Sequence, residues 1–303
     1  MKKIKILGLL LCCAIVLVAC QKQGSSTPTK TGEIEVLTMG LIPADDAEQM
    51  LRDYEPVGKY LADKLGIPVK IKVTSDYTAA IEAMRSKHID LAWFGPFSYI
   101  IAKNVAGAES IVNGVRRSDG KSDYRSIIVT NAKSGINSLE DLKGKKFAFV
   151  DPASTSGNLI PRKILIDNGI DPDKDFEMSY YAGTHNAVEY SIANGKVDAG
   201  ADSDNSYDRM VAAGEIDPKV NIIIYKSEAI PGSPIAVRGD LPAELKNRIQ
   251  DALITMDQQT INKVNGWGDI AKYQKVSDSD YDIIRETAKT LGMDVTNAEA
   301  ASK

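Results

Sequence analysis

Short apolar runs alternate with segments of helical periodicity along most of this chain, and that alternation restricts the fold more than any other feature. Residues 34–39 (Ile-Glu-Val-Leu-Thr-Met) read as a first strand, and Gly40-Leu41-Ile42-Pro43 turns it into a helix over about 46–65. Gly66-Ile67-Pro68 stops that helix, and 69–73 is the next strand. Thr74-Ser75-Asp76 then caps a helix over 77–87. Residues 89–94 form a strand, and Gly95-Pro96 opens a helix near 97–103. Strand, helix, strand, helix at this spacing predicts a parallel α/β sheet.

The same grammar continues. A strand at 125–130 is followed by a polar turn at 131–135, where the chain is expected to cross into a second lobe. A short capped helix at 137–145, a strand at 146–150 and a helix at 159–168 come next. Strands at 176–181, 197–201 and 220–225 then alternate with helices at 186–194 and 205–213. Pro231-Gly232-Ser233-Pro234 and the apolar residues after it carry the chain back, and the tail reads as helices over 242–256 and 280–291. The first lobe is therefore expected to combine 33–130 with 235–303, and the second to be 131–234. Two α/β lobes joined by two crossings make a hinged cleft, a preferred place for a small ligand. In open α/β sheets ligands sit beyond the carboxyl ends of strands. The loops at 74–77, 94–98, 151–157 and 183–186 hold that position.

One of those loops is unusual in chemistry. Asp151-Pro152-Ala153-Ser154-Thr155-Ser156-Gly157 lies between the apolar strand Lys146-Phe147-Ala148-Phe149-Val150 and a helix. A strand-to-helix turn exposes backbone N–H groups that no helical carbonyl satisfies. Three adjacent hydroxyls add donors, and the helix dipole favours negative charge there. The stretch reads as a seat for a tetrahedral oxyanion such as phosphate or phosphonate. The plainer reading is an ordinary helix N-cap, which Ser, Thr and Asp form without binding anything.

The amino terminus indicates the compartment. Met1-Lys2-Lys3-Ile4-Lys5 is a basic start, followed by an apolar run from Ile6 to Ala19. That run suits a signal peptide over 1–19 and is too short to span a bilayer. It ends Leu17-Val18-Ala19-Cys20, the lipobox pattern of bacterial lipoproteins, with cleavage before Cys20 and a diacylglycerol on its sulfur. Residues 20–32 then read as a lipidated cysteine and a flexible polar tether on the outer face of the cell membrane. Cys12 and Cys13 fall inside the leader, so the mature domain has no disulfide and no cysteine metal site. The reading calls for no metal and no cofactor. The net charge of −4 falls to about −7 once the three leader lysines are gone, which argues against nucleic acid as a partner.

Seven motifs in order resemble one known family. They are Asp76-Tyr77 with Ala80-Ile81; Asp90-Leu91-Ala92-Trp93-Phe94-Gly95-Pro96; Tyr124-Arg125-Ser126; Asp151 to Gly157; Gly183-Thr184-His185; Asn194-Gly195-Lys196-Val197-Asp198-Ala199; and Ile230-Pro231-Gly232-Ser233-Pro234. Together they make the chain similar to the PhnD-type phosphonate, phosphite and phosphate substrate-binding proteins of ABC importers. The resemblance implies a type II periplasmic-binding-protein fold, two α/β lobes joined by a two-crossing hinge. It also implies delivery of a small phosphorus oxyanion to an ABC permease. By the same resemblance Ser154, Thr155 and Ser156 grip the phosphoryl oxygens, His185 adds a contact, and Tyr77 and Tyr124 complete the pocket from the first lobe. Asp204, with Asp202 close by, matches an acid of aminoalkylphosphonate binders. The family's second acid is Ser233 here, which weakens the case for an amine-bearing ligand.

Two other functions fit the same residues less well. Ser154 or Ser156 with His185 and Asp202 or Asp204 imitates a Ser-His-Asp hydrolase set, but the Gly-x-Ser-x-Gly elbow is missing. A sensory ectodomain is the other alternative, and no signalling segment follows the lobes in this sequence. The reading is therefore of a binding protein and not an enzyme.

Overall fold

A computed structural model describes residues 34–264 and 269–298. The signal-peptide and tether readings, with Cys20, lie outside the described residues. In chain order the elements are β1 (Leu37–Leu41), α1 (Ala47–Leu65), β2 (Val69–Val73), α2 (Tyr77–Arg85), β3 (Leu91–Trp93), α3 (Pro96–Ala106) and β4 (Glu109–Arg116). Then come β5 (Ser126–Asn131), β6 (Lys146–Phe149), α4 (Ile160–Asp167), β7 (Met178–Tyr181), α5 (His185–Ala193), β8 (Ala199–Ser203), α6 (Asp204–Ala213) and β9 (Asn221–Lys226). The chain ends with β10 (Pro234–Val237), α7 (Ala243–Ile254), α8 (Gln258–Ile261), β11 (Ile270–Lys275) and α9 (Asp282–Thr290).

The strands make two sheets, one six-stranded in the order β11-β4-β10-β3-β1-β2 and one five-stranded in the order β7-β6-β8-β5-β9. Each sheet is parallel only in part. β2, β1 and β3 run parallel, as do β7, β6 and β8. β10 and β4, and β5 and β9, pair antiparallel. The parallel pairing expected from the strand-helix alternation holds for β1–β3 and for β6–β8, whereas β5 and β10, which reach their sheets across a crossing without an intervening helix, pair antiparallel with their neighbours.

One boundary differs from the expectation. The strand expected at 125–130 falls within the expected first lobe, yet β5 pairs with β8 from Ser126↔Ser203 to Thr130↔Ala199 and with β9 on its other side, in the second sheet. The first crossing therefore lies between β4 and β5, not at 131–135. A run such as Ser-Ile-Ile-Val-Thr-Asn declares a buried strand but not the sheet that receives it. The two crossings meet at one rung: Tyr124 N donates to Ile230 O at 3.0 Å, and Ile230 N donates to Tyr124 O at 2.7 Å.

Two strands escaped the sequence reading. β4 carries Asn113 and Gly114 in mid-strand, and β11 (Ile-Ala-Lys-Tyr-Gln-Lys) mixes apolar and polar residues without regular alternation. Both pair across a register shift, and such irregularities blur the period-2 signal. The capped helix expected at 137–145 is a single 3-10 turn, Glu140–Leu142, where the Asp141 carboxylate accepts from the Asn137 and Ser138 N–H groups, each at 3.0 Å.

Each sheet is covered by helices over an apolar core. In the second lobe Phe147 stacks on Phe176 with ring centroids 4.7 Å apart, and the Arg162 guanidinium lies over the Phe149 ring at 4.9 Å. Leu142, Leu165 and Ile170 fill the rest of that core. Packing of this kind holds the carboxyl ends of β6, β7 and β8 in fixed relation, and those ends carry the site.

Candidate functional site

β6 ends at Phe149, and the chain then reverses through a tight turn. Val150 N donates to Gly157 O at 3.0 Å, and Ser154 N donates to Asp151 O at 2.9 Å. The helix that follows begins with a π turn, Thr155–Leu159, before α4 proper. Ser154 is its N-cap, its Oγ accepting from Gly157 N at 3.1 Å. Position 157 must be glycine, since a Cβ there would stand 2.2 Å from Val150 Cγ2 and 2.4 Å from Val150 Cβ. This close return wraps the hydroxyl triplet around the helix entrance. Ser126 Oγ on β5 secures it from beneath by donating to Ser156 O at 2.7 Å.

The first lobe closes over the triplet. Ser154, Thr155 and Ser156 are each only 2% exposed. α3 has Gly95 as its N-cap, with no side-chain cap, so its first N–H groups need another acceptor. Thr155 Oγ1 supplies one, accepting from Phe97 N at 2.8 Å across the cleft. Tyr77 N, at the start of α2, donates to Asp151 Oδ2 at 3.5 Å, while Asp151 Oδ1 accepts from Ala153 N at 2.8 Å. Burial pushes the Asp151 carboxyl up to about 6. On the far side Arg209 of α6 pairs with Asp45 of the loop after β1, and His185 N donates to Ala44 O at 3.0 Å.

The sequence-derived site residues fall into two groups. Tyr77 and Tyr124 reach the triplet directly. The Tyr77 hydroxyl is within hydrogen-bonding reach of Ser154, and the Tyr124 hydroxyl within reach of Thr155, Ser156 and Ser233. Burial raises both phenols, Tyr124 to about 12. His185 and Asp202 form a second, deeper group, with His185 Nδ1 hydrogen-bonded to Asp202 Oδ1. Burial pushes His185 down to about 4 and Asp202 up to about 8. Asp204 lies near the Tyr124 phenol and is tied to the backbone. Its Oδ1 accepts from Arg125 N and Asn205 N, each at 2.9 Å, and so ties the crossing strand to the start of α6.

Beside Tyr124 lies a cavity of about 40 Å³, lined by Tyr54, Trp93, Arg116, Tyr124, Ser233 and Tyr273 among others. A water needs about 10–15 Å³ measured in this way, so the space holds roughly three small atoms. The residues missed by sequence reading are those that act across the fold. Phe97 contributes a backbone N–H, which has no side-chain signature. Asp45 and Arg209 are 164 positions apart. Asp151 belonged to the recognised loop, but its reach to Tyr77 N was invisible. Among the described residues no group of His, Cys, Asp or Glu is arranged to hold a metal ion.

Comparison with known proteins gives the family. Residues 39–281 match the family described as "ABC transporter, phosphonate, periplasmic substrate-binding protein". The chain is 33% identical to the phosphate-import protein PhnD of Mycolicibacterium smegmatis, over 93% of this chain and 94% of that one. It is 29% identical to the phosphonates-binding periplasmic protein of Escherichia coli, over 84% of this chain and 76% of the relative. In structure it is similar to a binding component of an ABC phosphonate transporter from Pseudomonas aeruginosa, with a TM-score of 0.79 and 26% identity over 89% and 90% of the two chains.

Proposed function

The chain belongs to the periplasmic substrate-binding proteins of ABC phosphonate transporters, and from that premise we propose that it captures a small phosphorus oxyanion between its lobes. The cargo is a phosphonate, phosphite or phosphate, handed to a partner ABC permease, and the protein is held at the membrane through a lipid on Cys20. The observation that carries this reading is the buried Ser154-Thr155-Ser156 turn, facing the opening of α3 and the hydroxyls of Tyr77 and Tyr124.

An anion meets the second lobe first, at the hydroxyls and N–H groups where the π turn begins. Closure then brings Tyr77 and the first turn of α3 over it, beside Tyr124 on the crossing, exchanging water for fixed dipoles. Ligand and closure support each other, because the Phe97 N–H reaches its acceptor, Thr155 Oγ1, only across the closed cleft. The small cavity beside Tyr124 favours a substituent of at most about three heavy atoms. A hydrolase reading has less support. Ser154 Oγ is occupied as a helix cap, and His185 is bound to Asp202 within the second lobe.

Calorimetry of the tether-free mature domain against phosphite, methylphosphonate, 2-aminoethylphosphonate, phosphate and sulfate tests the proposal. Tight binding of one phosphorus oxyanion, lost in Ser154→Ala/Thr155→Ala, is expected. No heat across the panel, or preference for sulfate, overturns it.

A further inference from the structure

Behind His185 the second lobe buries an acid that no part of the site accounts for. Glu189 lies one turn further along α5 and is 0% exposed, as is Asp202 at the end of β8. Asn221 Nδ2 donates to Glu189 Oε2 at 2.6 Å and to Glu189 O at 2.9 Å. The other carboxylate oxygen, Oε1, has no partner as an acceptor, and neither has Asp202 Oδ2. The two carboxyl groups are within hydrogen-bonding reach of one another. Two bare carboxylates in contact and out of water repel strongly, whereas one proton between them satisfies both orphan oxygens together.

We propose that Glu189 is a buried neutral acid that positions the His185 imidazole, donating its proton to Asp202 so that Asp202 in turn engages His185 Nδ1 and Nε2 keeps the hydrogen that the bound oxyanion would accept. This rests on the proposed anion capture and on the contact of His185 with the anion that the family resemblance implies. The geometry is a chain: Asn221 to Glu189, Glu189 to Asp202, Asp202 to His185. Two protons occupy it, one between the two acids and one between Asp202 and the ring. Moving the second proton from Asp202 to Nδ1 creates an imidazolium and a carboxylate without changing the proton count. In both arrangements Nε2 keeps its hydrogen, and an incoming anion favours the imidazolium.

The surroundings support retention of both protons. Burial raises Glu189 and Asp202, the latter to about 8. Asp45 from the loop after β1 and Asp151 from the loop after β6 add negative charge facing the ring, while Arg209 of α6 opposes them. Tyr207 of α6 and Tyr77 of α2 face Asp202 as neutral phenols. An ionised Glu189 would instead leave Asp202 to take the ring proton alone, and its own Oε1 would stay buried and unpaired.

The chain has two histidines, His88 and His185, so the ring nitrogens of each can be assigned by long-range ¹H–¹⁵N correlation in the unliganded protein. The proposal expects a protonated Nε2 on His185 at pH 7. A bare Nε2 with the hydrogen on Nδ1 overturns it, whatever the protein binds. A second test titrates methylphosphonate and inorganic phosphate against Glu189→Gln and Glu189→Leu. Glutamine reproduces the donor to Asp202 and the acceptor for Asn221, so affinity within about threefold of the parent is expected, with an unchanged decline of binding above about pH 8. Leucine removes both contacts, and at least tenfold weaker binding with the decline moved to lower pH is expected. Loss in the glutamine variant equal to that in leucine overturns the proposal. Silence of the parent toward both probes, with Nε2 still protonated, counts against the cargo assignment alone.

Discussion

The ion pair between Arg209 and Asp45 spans the cleft, so its removal acts on closure and not on the anion seat. In the closed form the Asp45 side chain is 7% exposed and that of Arg209 is 26% exposed. When the lobes separate, Asp45 returns to water, Arg209 keeps Glu215 of its own lobe at 3.5 Å, and the pair across the cleft contributes nothing. An exposed pair is worth about 0.2–1 kcal/mol, and orphaning one partner of a fully buried pair costs about 3–5 kcal/mol. This pair lies between those limits, at about 1–2 kcal/mol, or a roughly 5- to 30-fold weaker apparent affinity when only the closed form holds ligand. Arg209→Met keeps the aliphatic stem while deleting the charge. The expected result in calorimetry is the same fold-loss for every ligand that binds, with faster dissociation and an unchanged order of preference. Arg209→Met/Asp45→Asn recovers part of the loss, because the orphaned carboxylate is gone. Small-angle scattering of the variant at subsaturating ligand shows a larger radius of gyration than the parent at equal ligand. A loss confined to one ligand, or no loss at all, refutes the assignment of this pair to closure.

Gly157→Ala drives a Cβ into Val150, so the end of β6 has to move; a drop of about 1–3 kcal/mol in stability by denaturant melt and at least tenfold weaker anion binding are expected. The pH dependence of stability has a definite sign above the histidine range. Asp202 keeps its proton in the fold up to about 8 but loses it near 3.8 when unfolded, so between about pH 6.5 and 8 the native state binds more protons and stability falls as pH rises. His185, lowered to about 4 from 6.5, has the opposite slope and acts only below that window. Asp202→Asn flattens the decline in thermal melts from pH 6.5 to 8, and an unchanged slope refutes the assignment. Cys20→Ala is expected to move the protein from the membrane fraction to the soluble extracytoplasmic fraction.

Much of the site was legible because it is made of local turn chemistry. Asp76, Thr184 and Ser154 each cap the element that follows them, and their loops follow β2, β7 and β6 as the strand-helix alternation implies. Long-range pairing was not legible. β5 has the composition of any buried strand, and only its partners β8 and β9 show that it opens the second lobe. Asp204 resembles a ligand acid in sequence position, yet its Oδ1 is engaged by the backbone of the crossing strand and of α6. Glu189 looks like a solvent-facing helix acid in His-Asn-Ala-Val-Glu-Tyr. Its burial comes from Asn221 at the start of β9, 32 residues away.

The order of strands also governs the sequence in which the lobes can form. The second sheet draws on one continuous stretch, from Ser126 to Lys226. The first lacks a middle until Pro234–Val237 inserts between β3 and β4, and its edge strand β11 arrives later still. As the chain emerges amino end first, β3 and β4 therefore wait to be joined by a strand more than 100 residues downstream of either, while the second lobe can condense as soon as β9 is out. A chain ending at residue 233 would hold a complete anion-seating half beside a first half still split between β3 and β4, so the cleft is the last feature of the molecule to come into existence.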